Sequence, residues 1–129
     1  MRVLLDTQCW LWMLAAPERL SSSARSLVAS ASNELLLSAA SAWEIAIKHA
    51  LGKLRLPAPP AESLPPLMAK TGVTPLPVLH GHAFRVAELP PHHRDPFDRL
   101  LIAQAQVERV PILTADRVFA RYDVEILTA

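Results

Sequence analysis

The chain has 129 residues, of which 51% are hydrophobic and 19% charged, so we expect one globular domain over residues 1–129. This composition excludes a disordered chain, and a single cysteine, Cys9, excludes an internal disulfide. A net charge of +1 excludes the strong basic excess of proteins that coat nucleic acid, but it is compatible with an enzyme that binds nucleic acid briefly.

The first half of the chain alternates short apolar runs with helical patterns. A strand is predicted over 2–5 and is followed at once by Asp6. The elements that follow are a helix over 8–15 closed by Pro17, a helix to residue 31 with N-cap candidates at 21–23, a strand over 34–38, and a helix from about residue 41 to 51 that ends at Gly52.

The second half continues the same alternation. Its predicted elements are a weak helix over 61–71 interrupted by Pro65 and Pro66, an edge strand over 73–78, a helix over 79–88, a loop over 89–94, a helix from Asp95 to Arg109, a strand over 111–114, a helical turn over 118–121, and a strand over 124–127. Short strands that alternate with helices predict an α/β fold with a mostly parallel sheet.

Two acidic residues follow predicted strands. Asp6 comes directly after the first strand, and Asp116 follows the strand over 111–114. Sites in parallel sheets form at the carboxyl ends of the strands, so both acids fall where function is expected, provided that the two strands are neighbours. Asp6 is equally suited to cap the helix that follows it, and Asp116 to be an ordinary turn residue.

Two further acids lie on apolar faces of predicted helices. Helical spacing places Glu44 with Ile47 and Leu51, although an ion pair with Lys48 is an alternative role. Asp98 shares a face with apolar residues of its own helix, but it is also three residues after Asp95 and suits the positive end of the helix dipole. We assign the structural cap to Asp95 and the functional role to Asp98, because one cap acid is enough.

The four acids together suggest a metal site. Carboxylates that lie close together repel one another, so a cluster that stays ionised requires a cation. Ligands that are all oxygen favour Mg²⁺ or Mn²⁺ over zinc. Such an ion leaves positions open for water and phosphate oxygens, as hydrolysis of a phosphodiester requires.

At these residues the chain resembles the PIN-domain ribonucleases, in particular the VapC-type toxins of bacterial toxin–antitoxin pairs. Four segments carry the resemblance, occur in the family's order and span nearly the whole chain. They are residues 4–7 (LLDT), 38–45 (SAASAWEI), 93–105 (HRDPFDRLLIAQA) and 113–116 (LTAD).

The resemblance implies a Rossmann-like, three-layer α/β sandwich with about five mostly parallel strands flanked by helices. It implies that the metal-binding and catalytic residues are Asp6, Glu44, Asp98 and Asp116, with Thr114 as an ancillary polar residue. The implied reaction is Mg²⁺- or Mn²⁺-dependent cleavage of RNA by a metal-activated water, which leaves a 3′-hydroxyl and a 5′-phosphate. The implied partners are the RNA substrate, a VapB-type antitoxin and a second copy of the chain.

The first predicted helix supports a partner independently. Five apolar residues occupy 10–14 in succession and cover more than one face of a helix, so part of this run is expected to stay outside the core. Large apolar anchors of this kind are typical of a groove that binds a partner helix. Complete burial between the sheet and its helices, or in a homodimer interface, remains an alternative.

Other functions remain open at the level of sequence. The acids of a non-catalytic α/β interaction domain would cap helices and pair with Lys48 or Arg99. A phosphoryl-transfer enzyme would use Asp6 as nucleophile, but Gln8 stands where its second acid is usual. The spacing of the histidines fits no standard zinc pattern. Asp6 interrupts any signal-peptide core and no stretch is long enough to span a membrane, so we expect a cytoplasmic protein.

Overall fold

A computed structural model describes all residues, 1–129, and contains a five-stranded sheet with six helices. The strands are β1 (Arg2–Leu5), β2 (Glu34–Ser38), β3 (Thr74–Leu76), β4 (Ile112–Thr114) and β5 (Ile126–Thr128). The helices are α1 (Thr7–Ala15), α2 (Ser22–Ala29), α3 (Ala39–Ala50), α4 (Pro60–Thr71), α5 (His80–Val86) and α6 (Pro96–Glu108). Short 3₁₀ helices lie at Pro17–Arg19 and Arg117–Arg121. None of the helices is both long and apolar enough to cross a bilayer.

The sheet is parallel throughout and has the strand order β3-β2-β1-β4-β5. The predicted α/β class is therefore confirmed. The strand β1 is central, and its residues Leu4 and Leu5 pair with Ile112 and Leu113 of β4. This pairing makes the strands that precede Asp6 and Asp116 direct neighbours. The strand that contains Pro75 lies at the edge, as its missing backbone donor predicts.

Alternating strand residues divide the core between the two faces of the sheet. Val3 and Leu5 pack with Trp10 of α1 and Leu64 of α4, whereas Leu4 packs on the other face with residues of α6. Helices therefore cover both faces, which gives the three layers expected of a parallel sheet.

Most predicted boundaries differ from the structure by one or two residues, and two of these differences have a visible cause. Helix α3 begins at Ala39, earlier than predicted, because the Ser38 hydroxyl accepts the Ala40 N–H at 3.0 Å and caps the helix. The last strand begins at Ile126, because the chain first turns where the Val124 N–H donates to the Tyr122 carbonyl.

Helix α4 was predicted to be interrupted, but it runs unbroken through Pro65 and Pro66. Both prolines are exposed, whereas Ser63 and Leu64 on the opposite face are buried. Because the missing backbone donors face outward, the carbonyl groups of the preceding turn that lose a partner are free to bind water instead.

The apolar run of the first helix is only partly buried. Trp10 is fully buried and donates its indole N–H to the Thr71 hydroxyl at 3.0 Å. The next four residues, 11–14, are each partly exposed, which confirms that a part of the run stays outside the core. The most exposed aromatic residues lie elsewhere, at Trp43 (59%) and Phe84 (70%).

Candidate active site

Asp6 and Asp116 lie side by side at the carboxyl ends of β1 and β4. The Thr114 hydroxyl donates to Asp6 Oδ2 at 2.8 Å and accepts the Asp116 N–H at 3.0 Å, so one side chain connects both segments. Asp6 occupies the N-cap position of α1 but makes no side-chain cap hydrogen bond. Asp116 does cap the following 3₁₀ helix, because its Oδ1 accepts the Val118 N–H at 3.0 Å. The simple capping role is therefore absent for Asp6 and present for Asp116.

Glu44 is buried on the inner face of α3. Its Oε2 accepts a hydrogen bond from Lys48 Nζ at 2.8 Å, so the i,i+4 pair considered from the sequence is formed. Its Oε1 is buried and has no hydrogen-bond partner. A buried carboxylate oxygen without a partner is costly, and this cost indicates that the oxygen binds something else.

Asp98 lies in the first turn of α6, next to the residue that caps it. Asp95 Oδ1 accepts the N–H groups of Phe97 at 2.9 Å and of Asp98 at 3.0 Å, so the prediction that Asp95 is the cap is confirmed. The Asp98 side chain makes no cap of its own and is only 16% exposed. It points toward His93, whose Nε2 lies 2.9 Å from Asp98 Oδ2.

The sequence placed His93 only in a polar loop, and its position beside the acids was missed. Its Nε2 lies 3.3 Å from Asp116 Oδ2 as well as 2.9 Å from Asp98 Oδ2. The side-chain ligand atoms of these three residues all lie within 4.8 Å of one another. The one sequence feature that could have pointed to His93 is its position two residues before the cap Asp95. That spacing does not show which strand end the loop reaches.

The four predicted acids line a single cavity of about 320 Å³ at the carboxyl edge of the sheet. They come from four different parts of the chain: the end of β1, α3, α6 and the turn after β4. The cavity is lined by Asp6, Thr7, Gln8, Leu11, Glu44, Ile45, Lys48, Asp95, Asp98, Ala115 and Asp116. An opening with so many carboxylates is suited to a cation, not to an apolar ligand.

Burial and mutual repulsion perturb the acids of this cavity. Burial, followed by the charges of Asp6, Asp95, Glu44 and Asp116, raises the pKa of Asp98 to about 8. Burial raises the pKa of Asp6, although the hydrogen bond from Thr114 opposes this effect. The hydrogen bond to Glu44 raises the pKa of Lys48 and keeps it charged.

Cys9 is not equipped as a nucleophile. Burial and the nearby charge of Asp6 raise the pKa of the Cys9 thiol to about 12, so the reactive thiolate is disfavoured.

The residues present fit a hard divalent cation. Glu44 Oε1 has no partner, and the raised pKa of Asp98 indicates a carboxylate whose negative charge is not compensated by its surroundings. A divalent ion would supply that charge, and oxygen ligands are those that Mg²⁺ and Mn²⁺ prefer. Lys48 alone does not supply the compensating positive charge, because its ammonium group contacts only one oxygen of Glu44.

Comparison with known proteins gives an independent result. The family model of the PIN domain matches residues 3–125 of this chain. A curated relative, Ribonuclease VapC16 of Mycobacterium tuberculosis (strain ATCC 25618 / H37Rv), is 52% identical over 58 residues, which are 45% of this chain and 41% of that protein. The similarity therefore spans less than half the length of that relative.

Solved structures are similar over nearly the whole chain. VapBC2 from Rickettsia felis, bound to a DNA fragment from the promoter, matches with a TM-score of 0.75 and 15% identity, covering 99% of this chain and 98% of that one. DNA-bound VapBC from Salmonella typhimurium matches with a TM-score of 0.68 and 16% identity, at 99% and 98% coverage. VapBC-5 from Mycobacterium tuberculosis matches with a TM-score of 0.63 and 20% identity, at the same coverage. At these identities the likeness shows a shared fold.

Proposed function

Because this chain belongs to the PIN-domain family, we propose that it is a Mg²⁺- or Mn²⁺-dependent endoribonuclease that acts as the toxin of a toxin–antitoxin pair. One observation carries the proposal: four carboxylates from four separate parts of the chain line one cavity, and one of their buried oxygens, Glu44 Oε1, has no partner. The sequence identity of 52% over 58 residues with Ribonuclease VapC16 supports RNA as the substrate class.

Asp6, Glu44, Asp98 and Asp116 would hold the ion. When bound, the ion supplies activation of a water for attack on phosphorus and neutralisation of phosphate charge. The protein prepares its ligands in advance. Thr114 orients Asp6 Oδ2, and Lys48 holds Glu44 Oε2 so that Oε1 is directed elsewhere. Ligands oriented in this way lose less conformational freedom when the ion and substrate bind.

One basic side chain in the cavity lining and two exposed arginines adjacent in sequence to lining acids suit the phosphates of an RNA strand. Lys48 lines the cavity, and its side chain is half exposed. Arg94 and Arg117 are exposed next to Asp95 and Asp116. Contacts of such groups to phosphates position a strand without reading its sequence. With a net charge of only +1, this local arrangement supplies the attraction that the whole molecule lacks.

A purely structural role for the acids explains less of the structure. Asp95 and Asp116 do cap helices, and Glu44 does pair with Lys48. That role leaves Asp6 without a cap interaction and Glu44 Oε1 buried without a partner. Uncompensated costs of this kind in a shared cavity favour a binding site over a non-catalytic interaction domain.

We propose that the antitoxin binds an apolar stripe beside the cavity. The stripe consists of Trp43 and Ile47 on α3 and Leu51 at its C-cap, which are 59%, 37% and 63% exposed. Its residues are spaced four positions apart, so they lie along one side of the helix in a pattern that a partner helix recognises. Glu44 and Lys48, which are adjacent to the stripe residues on α3, line the cavity, so a partner helix on the stripe would lie close to its opening. The VapBC complexes that share this fold support such a partner.

We propose that two copies of the chain associate through α5 and the two residues that precede it. Val78, Leu79 and Phe84 are exposed there, and Phe84 is 70% exposed. None of these residues lines the acidic cavity, so a dimer formed in this way would leave both sites open to RNA. A Phe84→Glu variant that remains dimeric in light scattering would contradict this assignment, whereas a monomer would support it.

The catalytic proposal is tested with purified chain and total RNA in Mn²⁺, in Mg²⁺ and in EDTA. We expect cleavage only with metal, fragments with 5′-phosphate ends, and no cleavage by Asp6→Asn. The matched control is Glu62→Gln, an exposed acid in the first turn of α4 that should cleave as the native chain does. Cleavage by Asp6→Asn at near the native rate would refute the site assignment.

The partner proposal is tested by expressing the chain alone and with the product of a neighbouring upstream gene. We expect growth arrest alone, rescue by the neighbour, and neither effect with Glu44→Gln. A Trp43→Ser variant should still arrest growth but should no longer be rescued, because it removes an anchor of the stripe and no ligand of the ion. A harmless native chain that also fails to bind the neighbour would refute the toxin assignment.

A further inference from the structure

Contacts of both its backbone and its ring hold His93 in place. Its backbone N–H donates to the hydroxyl of the buried Tyr122 at 2.7 Å, and its ring packs edge-on against Phe119 at 6.1 Å between centroids. Its Nδ1 accepts the backbone N–H of Asp95 at 3.2 Å. The ring is therefore fixed between α6 and the segment after β4, with Nε2 directed at the acidic cavity.

These contacts determine which ring nitrogen carries the proton. A nitrogen that accepts a backbone N–H has no hydrogen of its own, so Nδ1 is unprotonated and the proton of the neutral ring is on Nε2. The Nε2–H group donates to Asp116 Oδ2 at 3.3 Å, and Asp98 Oδ2 lies 2.9 Å from the same nitrogen, within ion-pair distance. A nitrogen that donates a hydrogen bond has no free lone pair for a metal.

We propose that His93 is a positioning residue, which holds the carboxylates of Asp98 and Asp116 together through Nε2–H and is not itself a ligand of the ion. The inference rests on the proposed metal-dependent function. Asp98 belongs to a helix and Asp116 to a turn on another part of the chain, and no other side chain contacts both. The donor also offsets part of the repulsion between the two acids before an ion binds.

Two substitutions of His93 test the contribution of the Nε2–H donor separately from that of the Nδ1 acceptor. In His93→Asn the side-chain oxygen replaces Nδ1 as acceptor for the Asp95 N–H, but no donor reaches the carboxylates. In His93→Gln the side-chain amide places an N–H group near the position of Nε2. The control is His92→Asn, because His92 is exposed in the same loop and does not contact the acids.

The experiment measures Mn²⁺ affinity by calorimetry on the full chain without RNA. We expect His93→Asn to weaken binding about 10- to 100-fold, the usual effect of losing a group that orients a ligand. His93→Gln should recover most of this loss, and His92→Asn should bind as the native chain does. Electron spin-echo spectra of Mn²⁺ on the native chain should show no coupling to a directly bound nitrogen.

The outcomes distinguish the inference from the proposed function. Native affinity in His93→Asn, a loss in His93→Gln equal to that in His93→Asn, or strong nitrogen coupling in the native spectrum would each overturn the positioning role. The spectrum needs no variant, so the test stands even if His93→Asn does not fold. Failure of the native chain to bind Mn²⁺ at all would overturn the metal-dependent function, and the positioning role with it.

Discussion

Replacing Asp98 with asparagine should stabilise the metal-free protein, and the gain should grow with pH. Burial and four neighbouring acids raise the pKa of Asp98 from 3.8 to about 8 in the folded chain. Below about pH 4 both the folded and the unfolded states are protonated, and the group has no effect on stability. Between about pH 4 and pH 8 the unfolded chain releases the proton while the folded chain retains it, so the free energy of unfolding falls as pH rises.

The slope follows from the linkage of one proton. It is on the order of 1 kcal/mol per pH unit, or roughly 3 kcal/mol between pH 5 and pH 8. For a chain of this size that difference corresponds to roughly 10 °C in the melting temperature. Asparagine does not titrate and its amide oxygen can keep the polar contact with His93 Nε2, so the free energy of unfolding of Asp98→Asn should lack this contribution to the pH slope.

The assay is thermal unfolding in EDTA at pH 5, 6, 7 and 8 for the native chain, Asp98→Asn and the control Glu62→Gln. The melting temperature of Asp98→Asn should exceed that of the native chain by a margin that widens with pH. The difference in melting temperature between the control and the native chain should stay constant with pH. Added Mn²⁺ should reverse the order, because only the folded native chain binds it well. Parallel native and Asp98→Asn curves across this range would refute the electrostatic reasoning.

Three further substitutions have defined outcomes. Asp95→Ala should lower stability by about 1 kcal/mol, the usual cost of losing an N-cap, with cleavage largely retained; large loss of cleavage at native stability would contradict the cap role. Thr114→Val should reduce cleavage about 10- to 100-fold because Asp6 loses its donor, and Thr114→Ser should restore it, as measured by initial rates. Ile112→Ala, in a fully buried strand, should cost about 2–5 kcal/mol in urea unfolding, with unchanged Mn²⁺ affinity per folded molecule.

The order and type of the elements were largely accessible from local pattern. The apolar runs at β1 and β2 and the Asp95-Pro96 start of α6 are signals that lie within a few residues. The starts of α3 and β5 shifted through local hydrogen bonds, whereas the failure at α4 was non-local: α4 tolerates Pro65 and Pro66 because tertiary packing turns them toward solvent. A sequence pattern predicts that a proline weakens a helix, but it does not tell which side of that helix faces water.

The candidate site divides in the same way. The sequence by itself determined that Asp6 and Asp116 follow strands and that Asp98 shares a helix face with buried apolar residues, because strand ends and helical periodicity are local properties. The same periodicity grouped Glu44 with Ile47 and Leu51, which are exposed, so the burial of Glu44 was decided by the tertiary structure. Only the tertiary structure decided that β1 and β4 are neighbours, that Glu44 Oε1 is left without a partner, and that the loop before α6 brings His93 between two acids. The pairing of β1 with β4 and the contact of His93 with Asp116 join residues far apart in the sequence, and such contacts are decided by how the layers pack and not by the residues on either side.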